Sequence, residues 1–428
     1  MAGKIKAMWT NKDIRNRILF TLFAFLVYRL GSAITVPDVN TTDLVNGLGE
    51  NSLFAMLNLL GGGGLEQFSV FALGVTPYIT ASIIIQLLSM DVIPHLTELS
   101  KAGANGRKTL DKYTRYLAVV FAFVQSFSLV YGFSKAYTGL IVGGVTISKI
   151  LYIATIFAAG SMFLVWIGDQ ISMKGIGNGI SIILFAGILS RVPSMVSSMI
   201  SGLRAGTLAW WAAVLVVLGI LALIVLITWV NGAERRIPVQ YAKRQVGRKM
   251  YGGQASTLPM KVNMSGVLPI IFAQSIAMIP STIAAFCKQP AEGTFWYGFL
   301  NAIDTKSVLY MIFYFLMIIA FSYFYATIQF NPVEISNNLK KNGGFIPGFR
   351  PGKPTTDFIK KVLNKVTLFG AIYLGVVAIL PLLIGKIVGN SSLSIGGTSV
   401  IIVVGVALET VQALESQMLM RQYKGFLE

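Results

Sequence analysis

The stretch Asn51-Ser-Leu53-Phe54-Ala-Met56-Leu57-Asn-Leu-Leu60 runs into Gly61-Gly62-Gly63-Gly64 and then into an apolar run over residues 68–90. About ten residues of apolar helical pattern make a helix of roughly 15 Å, half of what a bilayer core demands, whereas the run behind the glycines is long enough to cross one. A short helix on a glycine hinge either lies in the membrane interface or folds back into a bundle as a re-entrant element. The second arrangement is tolerated only where protein buries the irregular backbone or water lines it.

Nine further runs of spanning length surround this one, near residues 18–36, 114–133, 151–168, 179–200, 209–230, 267–287, 308–330, 366–385 and 396–414. With 54% apolar and 12% charged residues among 428, the chain carries more apolar side chain than a soluble core of its size buries. The fold class read from this is an all-α membrane protein of ten transmembrane helices. Met1 to Arg17 is polar and basic, and the run behind it is long enough to span, so that run is expected to stay as the first helix and not to be cleaved as a leader. One cysteine, Cys287, and one histidine, His95, leave almost no material for a zinc site or a thiol–imidazole pair. Neither a metal nor a cofactor is expected.

A formal net charge of +18 fits either nucleic-acid binding or basic loops held on the cytoplasmic side of a membrane. Counted with the connection each is assigned to, the 35 Lys and Arg fall 27 on one side and 7 on the other, leaving Arg29 inside the first span. Arg191 and Arg204 go in this count with the connection after the fifth span. A nucleic-acid binder has no use for such alternation, and the positive-inside rule puts both termini in the cytoplasm. Two basic connections, 231–263 and 331–365, are too long and polar to be simple joints and read as docking surfaces. In the first, Arg235-Arg236-Ile-Pro-Val-Gln-Tyr-Ala-Lys243-Arg244 alternates polar and apolar residues like one arm of a hairpin. Ten spans divide into five and five, and because five is odd, halves 1–205 and 206–428 have opposite topology, as in inverted-repeat transporters. The halves share no evident sequence identity.

Ionisable residues inside spans are costly and usually functional, and this chain has few. Arg29 lies in the first span, Glu409 near the end of the last, and Asp169 is read as beginning a polar loop after Trp166. No carboxylate pair, nucleophile–base motif or phosphate-binding Gly-rich loop is present, so an intramembrane enzyme lacks its catalytic groups. An ion-coupled solute transporter would place acids or broken helices with polar ligands at the midplane. The spans here carry mainly Ile, Val, Leu, Ser, Thr and Gln, which suits a passive pore with an apolar constriction.

Several longer strings are specific. Phe71-Ala-Leu-Gly-Val75-Thr-Pro77-Tyr78-Ile79-Thr80-Ala-Ser-Ile-Ile-Ile-Gln86-Leu-Leu, Gly175-Ile-Gly-Asn178-Gly-Ile180-Ser-Ile-Ile, Tyr241-Ala-Lys-Arg-Gln-Val-Gly-Arg248, Leu258-Pro-Met-Lys261-Val-Asn263-Met-Ser-Gly-Val-Leu-Pro269, and Phe330-Asn-Pro332 through Phe345-Ile-Pro-Gly-Phe-Arg350-Pro-Gly resemble the signature stretches of the bacterial SecY family. The resemblance runs from end to end in length, span count and orientation.

It implies a clamshell of two pseudo-symmetric five-helix halves around an hourglass pore in the bacterial inner or plasma membrane, conducting unfolded chains and releasing apolar segments sideways. Carried over by position, the pore ring is Val75, Ile79, Ile180, Leu184, Ile271 and Ile402. The segment 51–64 becomes the re-entrant plug and its hinge (Leu53, Phe54, Met56, Leu57 and Gly61, Gly62, Gly63, Gly64). Thr80, Gln125, Gln274 and Ser275 fall on the lateral gate, where signal sequences enter. Arg248, Lys249 and Arg350 stand where the family receives the SecA motor ATPase or the ribosome. SecE and SecG are the implied small membrane subunits.

Overall fold

The computed structural model describes residues 9, 11–40, 63–89, 92–136, 140–206, 209–241, 244–246, 249–251, 255–264, 266–286, 307–388 and 391–424. Ten of its helices coincide with the ten apolar runs: α1 (Lys12–Ala33), α2 (Thr76–Leu88), α4 (Gly103–Ala136), α5 (Ile147–Lys174), α6 (Gly179–Arg204), α7 (Trp210–Gly232), α8 (Leu268–Phe286), α9 (Val308–Gln329), α11 (Lys353–Val388) and α12 (Ser391–Lys424). Two short amphipathic helices join them, α3 (Pro94–Lys101) and α10 (Pro332–Lys341). Among the described residues, seven helices are long and apolar enough to cross a membrane; α2 and the described part of α8 are shorter apolar helices, and α1 is not among the seven.

The second span departs from expectation. Its run was read as helical from residue 68, but the helix begins at Thr76, with Pro77 in its first turn, where a missing N–H costs nothing. Residues 63–75 form a stalk of turns. Phe68 (φ 46°) and Gly74 (φ 57°) take left-handed backbone, which no helix continues through. The stalk's polar backbone is satisfied inside the protein: Ser69 N donates to Gly64 O at 2.8 Å, Val70 N to Ile34 O at 3.0 Å, and Val36 N to Phe68 O at 3.1 Å. The Ser161 hydroxyl of α5 donates to Gly74 O at 2.6 Å.

The main apolar core is a seam that takes side chains from α1, the stalk, α2 and α5 through α9, α11 and α12. Outward faces carry large exposed apolar groups, as on α7 with Trp210, Leu218, Val225 and Trp229, the surface lipid would cover. At one end a second cluster gathers Val36, Leu65, Phe68, Phe133, Leu140 and Phe157, and the 34–40 and 140–142 segments cross-link there (Asn40 N to Leu140 O, 2.8 Å).

The opposite end carries the two long basic connections. The Arg235 arm is indeed a strand, β1 (Glu234–Tyr241), burying Ile237 and Val239 on alternate positions. Its partner is β4 (Ala255–Lys261), antiparallel with Glu234 opposite Lys261, and β5 (Gly344–Phe345) from the other connection adds to its far edge. A minor ribbon joins β2 (Arg244–Val246) to β3 (Lys249–Tyr251). A third apolar cluster, with Ile237, Val239, Met260, Ile346, Ile359 and Leu363, binds both connections to the first turns of α11. That helix starts at Lys353, inside what was read as loop. Asn331 caps α10, accepting from Val333 N at 3.1 Å, and Glu334 in its first turn with Lys340 and Lys341 in its last complement the helix dipole.

Close helix contacts are made at small residues, as lipid-embedded bundles require. At Gly160 of α5 a Cβ would stand 2.0 Å from the Val70 carbonyl oxygen of the stalk, whereas a Cβ at Gly219 of α7 meets nothing within 4 Å. Gly160→Ala is expected to cost about 1–3 kcal/mol through overpacking and to lower the unfolding temperature in detergent, with Gly219→Ala unchanged or slightly more stable. Equal unfolding temperatures for the two variants would contradict this packing.

Candidate pore and lateral gate

The six ring positions come from four separate parts of the chain and meet in one apolar cluster. Val75 caps α2 and Ile79 lies one turn along it; Ile180 and Leu184 sit on the first turns of α6; Ile271 is on α8 and Ile402 on α12. Five of the six are buried, none more than 9% exposed, and Ile180 is half-buried against them. The first turn of α6 is set by Asn178, whose side chain accepts from Ile180 N at 3.1 Å and Ser181 N at 3.4 Å. Behind it α5 and α6 approach at Gly168 and Gly179, where a Cβ on Gly179 would overlap the Gly168 carbonyl. The ring positions on α6 are therefore held by a cap and a backbone contact.

On α8, which packs against both α2 and α4, Gln274 is buried and Ser275 half-buried. Thr80 on α2 and Gln125 on α4 are half-buried across from it. The Thr80 hydroxyl donates to Thr76 O at 3.1 Å and that of Ser275 to Ile271 O at 2.8 Å, each within its own helix. These two hydroxyls are thus satisfied without bridging the helices they stand between.

Leu53, Phe54, Met56, Leu57, Gly61, Gly62 and Arg248 lie outside the described residues. Gly63 has φ 87°, a conformation that favours glycine, and it opens the stalk. Lys249 begins strand β3. Arg350 is exposed at the tip of the second connection, which is braced from several sides. Thr355 Oγ1 donates to Arg350 O at 2.8 Å, Ser336 Oγ to Gly352 O at 3.0 Å, and the rings of Phe349 and Phe358 stack at 4.2 Å. The bracing fixes the backbone at Arg350, whose side chain is exposed.

Two charged assignments are corrected. Asp169 does not begin a loop: α5 continues to Lys174, and the carboxylate pairs with Arg115 of α4 at 3.0 Å. Arg191, counted with the connection after the fifth span, lies inside α6 and pairs with Glu66 of the stalk at 2.7 Å. An arginine within an apolar run was the signal that the count passed over. Arg29 is exposed on α1, and Glu409 approaches the segment before α8, its Oε1 2.7 Å from where a Cβ on Gly266 would stand.

A bundle of apolar helices whose central seam is lined from both halves of the sequence, with an ordered basic platform at one end, defines a helical membrane protein of channel architecture. The family model described as SecY matches residues 69–411. The protein translocase subunit SecY of Staphylococcus aureus (strain NCTC 8325 / PS 47) is 43% identical over 426 residues, covering 97% of each chain. That of Staphylococcus epidermidis (strain ATCC 35984) is 42% identical over 427 residues, 98% of this chain and 97% of its own. Among solved structures, one titled as that of a protein-conducting channel superposes with a TM-score of 0.67 at 18% identity, covering 94% of this chain and 92% of that one. Sec61 from a canine ribosome–channel complex gives 0.65 at 18% identity, with the same coverage. The chain belongs to the SecY family.

Proposed function

We propose that the chain is the pore-forming subunit of a bacterial Sec translocon, a passive conduit for unfolded polypeptides with no covalent chemistry of its own. The observation that carries this reading is the convergence of Val75, Ile79, Ile180, Leu184, Ile271 and Ile402 in one seam, from helices near both ends of the chain. Identity of 43% over nearly the full length to proteins named as translocase subunits supports it. A ring of branched aliphatic groups resists wetting and ion passage, and it offers a sliding chain no hydrogen bonds to stick to.

In this reading the chain sits in the plasma membrane with both termini in the cytoplasm, and residues 1–205 and 206–428 are the two halves of a clamshell. The basic platform around β1, β4 and α10 faces the cytoplasm, where Arg350, with Arg248 and Lys249, receives SecA or the ribosome. SecE and SecG complete the complex. A signal sequence enters between α2 and α4 on one side and α8 and α9 on the other, past Thr80, Gln125, Gln274 and Ser275. The plug at 51–64 is displaced, and the chain slides through the ring. Apolar segments leave sideways because a leucine-like residue gains a few tenths of a kcal/mol at a helix centre in lipid, whereas a charged one costs roughly 2.5 to 3.5 kcal/mol. Secreted segments require a partner that pushes.

Cysteine-specific crosslinking of a stalled precursor to position 79 tests the pathway directly. A crosslink is expected, and its absence beside good crosslinking to an outward α7 position would refute the assignment. The double variant Ile79→Gly, Ile271→Gly is expected to raise ion leak through reconstituted channels several-fold; unchanged conductance would sink the ring. Arg350→Glu is expected to abolish SecA-dependent export while the variant folds normally, since the exposed guanidinium supports no core contact, and normal export would remove its docking role.

A further inference from the structure

We propose that Glu66 and Arg191 form a charge latch that positions the stalk against α6 and holds the resting channel shut. The proposal rests on the pore reading above, and the experiment below separates the two.

Arg191 follows Leu184 by seven residues and Ile188 by three, so all three share one stripe of α6. The guanidinium lies about two turns, roughly 10 Å, beyond the ring position, toward the end where the stalk sits. Arg191 Nη2 donates to Glu66 Oε1 at 2.7 Å, with the side chains 19% and 38% exposed. Arg191 Nη1 is buried and finds no hydrogen-bond partner among the described residues. It lies 4.0 Å from where a Cβ on Gly63 would be. Removing the Glu66 charge therefore strands a largely buried cation, so the pair resists opening and re-forms once the path clears.

The rest of the stalk is fastened elsewhere. Phe68 is fully buried with its ring 5.8 Å from that of Phe133 and 5.2 Å from that of Phe157, and residues 69–74 bond to α5 and to the segment after α1. Glu66 carries an ion-pair link from this anchored stalk to α6. A chain that has passed the ring on this stripe must part stalk from α6, and the latch is what it parts. Sequence position supports the same order: Glu66 lies three residues beyond Gly63, where the backbone is free to turn, and two before Phe68, where it is fixed.

The test measures resting ion conductance and thermal unfolding of the assembled, reconstituted channel carrying Glu66→Gln, Arg191→Met, or the exchange Glu66→Arg with Arg191→Glu. Each single change is expected to raise resting conductance about fivefold or more, the population shift expected from losing a half-buried ion pair, and the exchange is expected to return it toward the starting level. Glu66→Gln is nearly isosteric at a half-exposed site, so it reports even where Arg191→Met fails to fold. Single variants as tight as the parent, or an exchanged pair as leaky as the singles, would overturn the latch. If the Ile79→Gly, Ile271→Gly channel leaks while the latch variants do not, the latch fails and the pore reading stands; if neither leaks, the pore reading itself fails.

Discussion

A backbone in hydrocarbon must satisfy its own N–H and C=O groups, and the rest of this structure follows from that constraint. Ten apolar runs become helices because helices alone close every bond within one segment. Where the backbone leaves the helix, over residues 63–75, the protein supplies replacement bonds from within. Ser161 reaches Gly74, the strand-like pairing at Ile34 and Val36 takes up Phe68 and Val70, and the aromatic rings around Phe68 exclude solvent and lipid alike. The irregular stalk is possible only because α4, α5 and the segment after α1 enclose it.

The same constraint explains where polar side chains stand. Thr80, Ser126 and Ser275 return their hydroxyls to carbonyls of their own helices, which costs no partner helix and leaves neighbouring surfaces free to separate. Helices that must not separate use other means. At Gly160 against Val70, and at Gly168 against Gly179, backbones touch directly, a contact with no adjustable side chain. Arg115 and Asp169 tie α4 to α5 near the basic end, but that pair is half in solvent and adds little stability beside the packing. Gly370 of α11 approaches the Val262 carbonyl as Gly160 approaches that of Val70, whereas the Thr80 and Ser275 hydroxyls, on the facing helices α2 and α8, bond within their own helices.

Apolar length found the run behind each of the ten long helices, while the grouping of their ends by alternating charge remains part of the proposed reading. Length is silent about backbone conformation, however, so the first eight residues of the second run read as helix although Phe68 and Gly74 turn the chain instead. The arm from Arg235 showed its strand character through the alternation of Ile237 and Val239, but nothing local named Ala255–Lys261 or Gly344–Phe345 as its neighbours, because those pairings are set by a cluster shared with α11. Asp169 and Arg191 were misread for a common reason: each charge was taken to mark a boundary, when each is carried inside a helix by a partner distant in sequence, Arg115 or Glu66. The residues assigned to the ring are chemically indistinguishable from core, and the family resemblance, not composition, singled them out.

In the proposed reading two different barriers lie in series along one stripe of α6. Ile180 and Leu184 contribute branched apolar groups to a seam that excludes water, and a charge crossing such a seam must shed hydration without compensation. Arg191, two turns on, contributes a charge whose partner sits on a different element, so that its interaction depends on whether stalk and helix are together. An apolar seam yields to any chain that wets or fills it and retains no memory of the closed arrangement. The largely buried Arg191 behaves otherwise: once parted from Glu66 its guanidinium is left poorly solvated, and the free energy of that state favours rejoining. On the proposed function, a non-directional barrier placed before a directional one would let the conduit admit many sequences and still return to a single closed geometry.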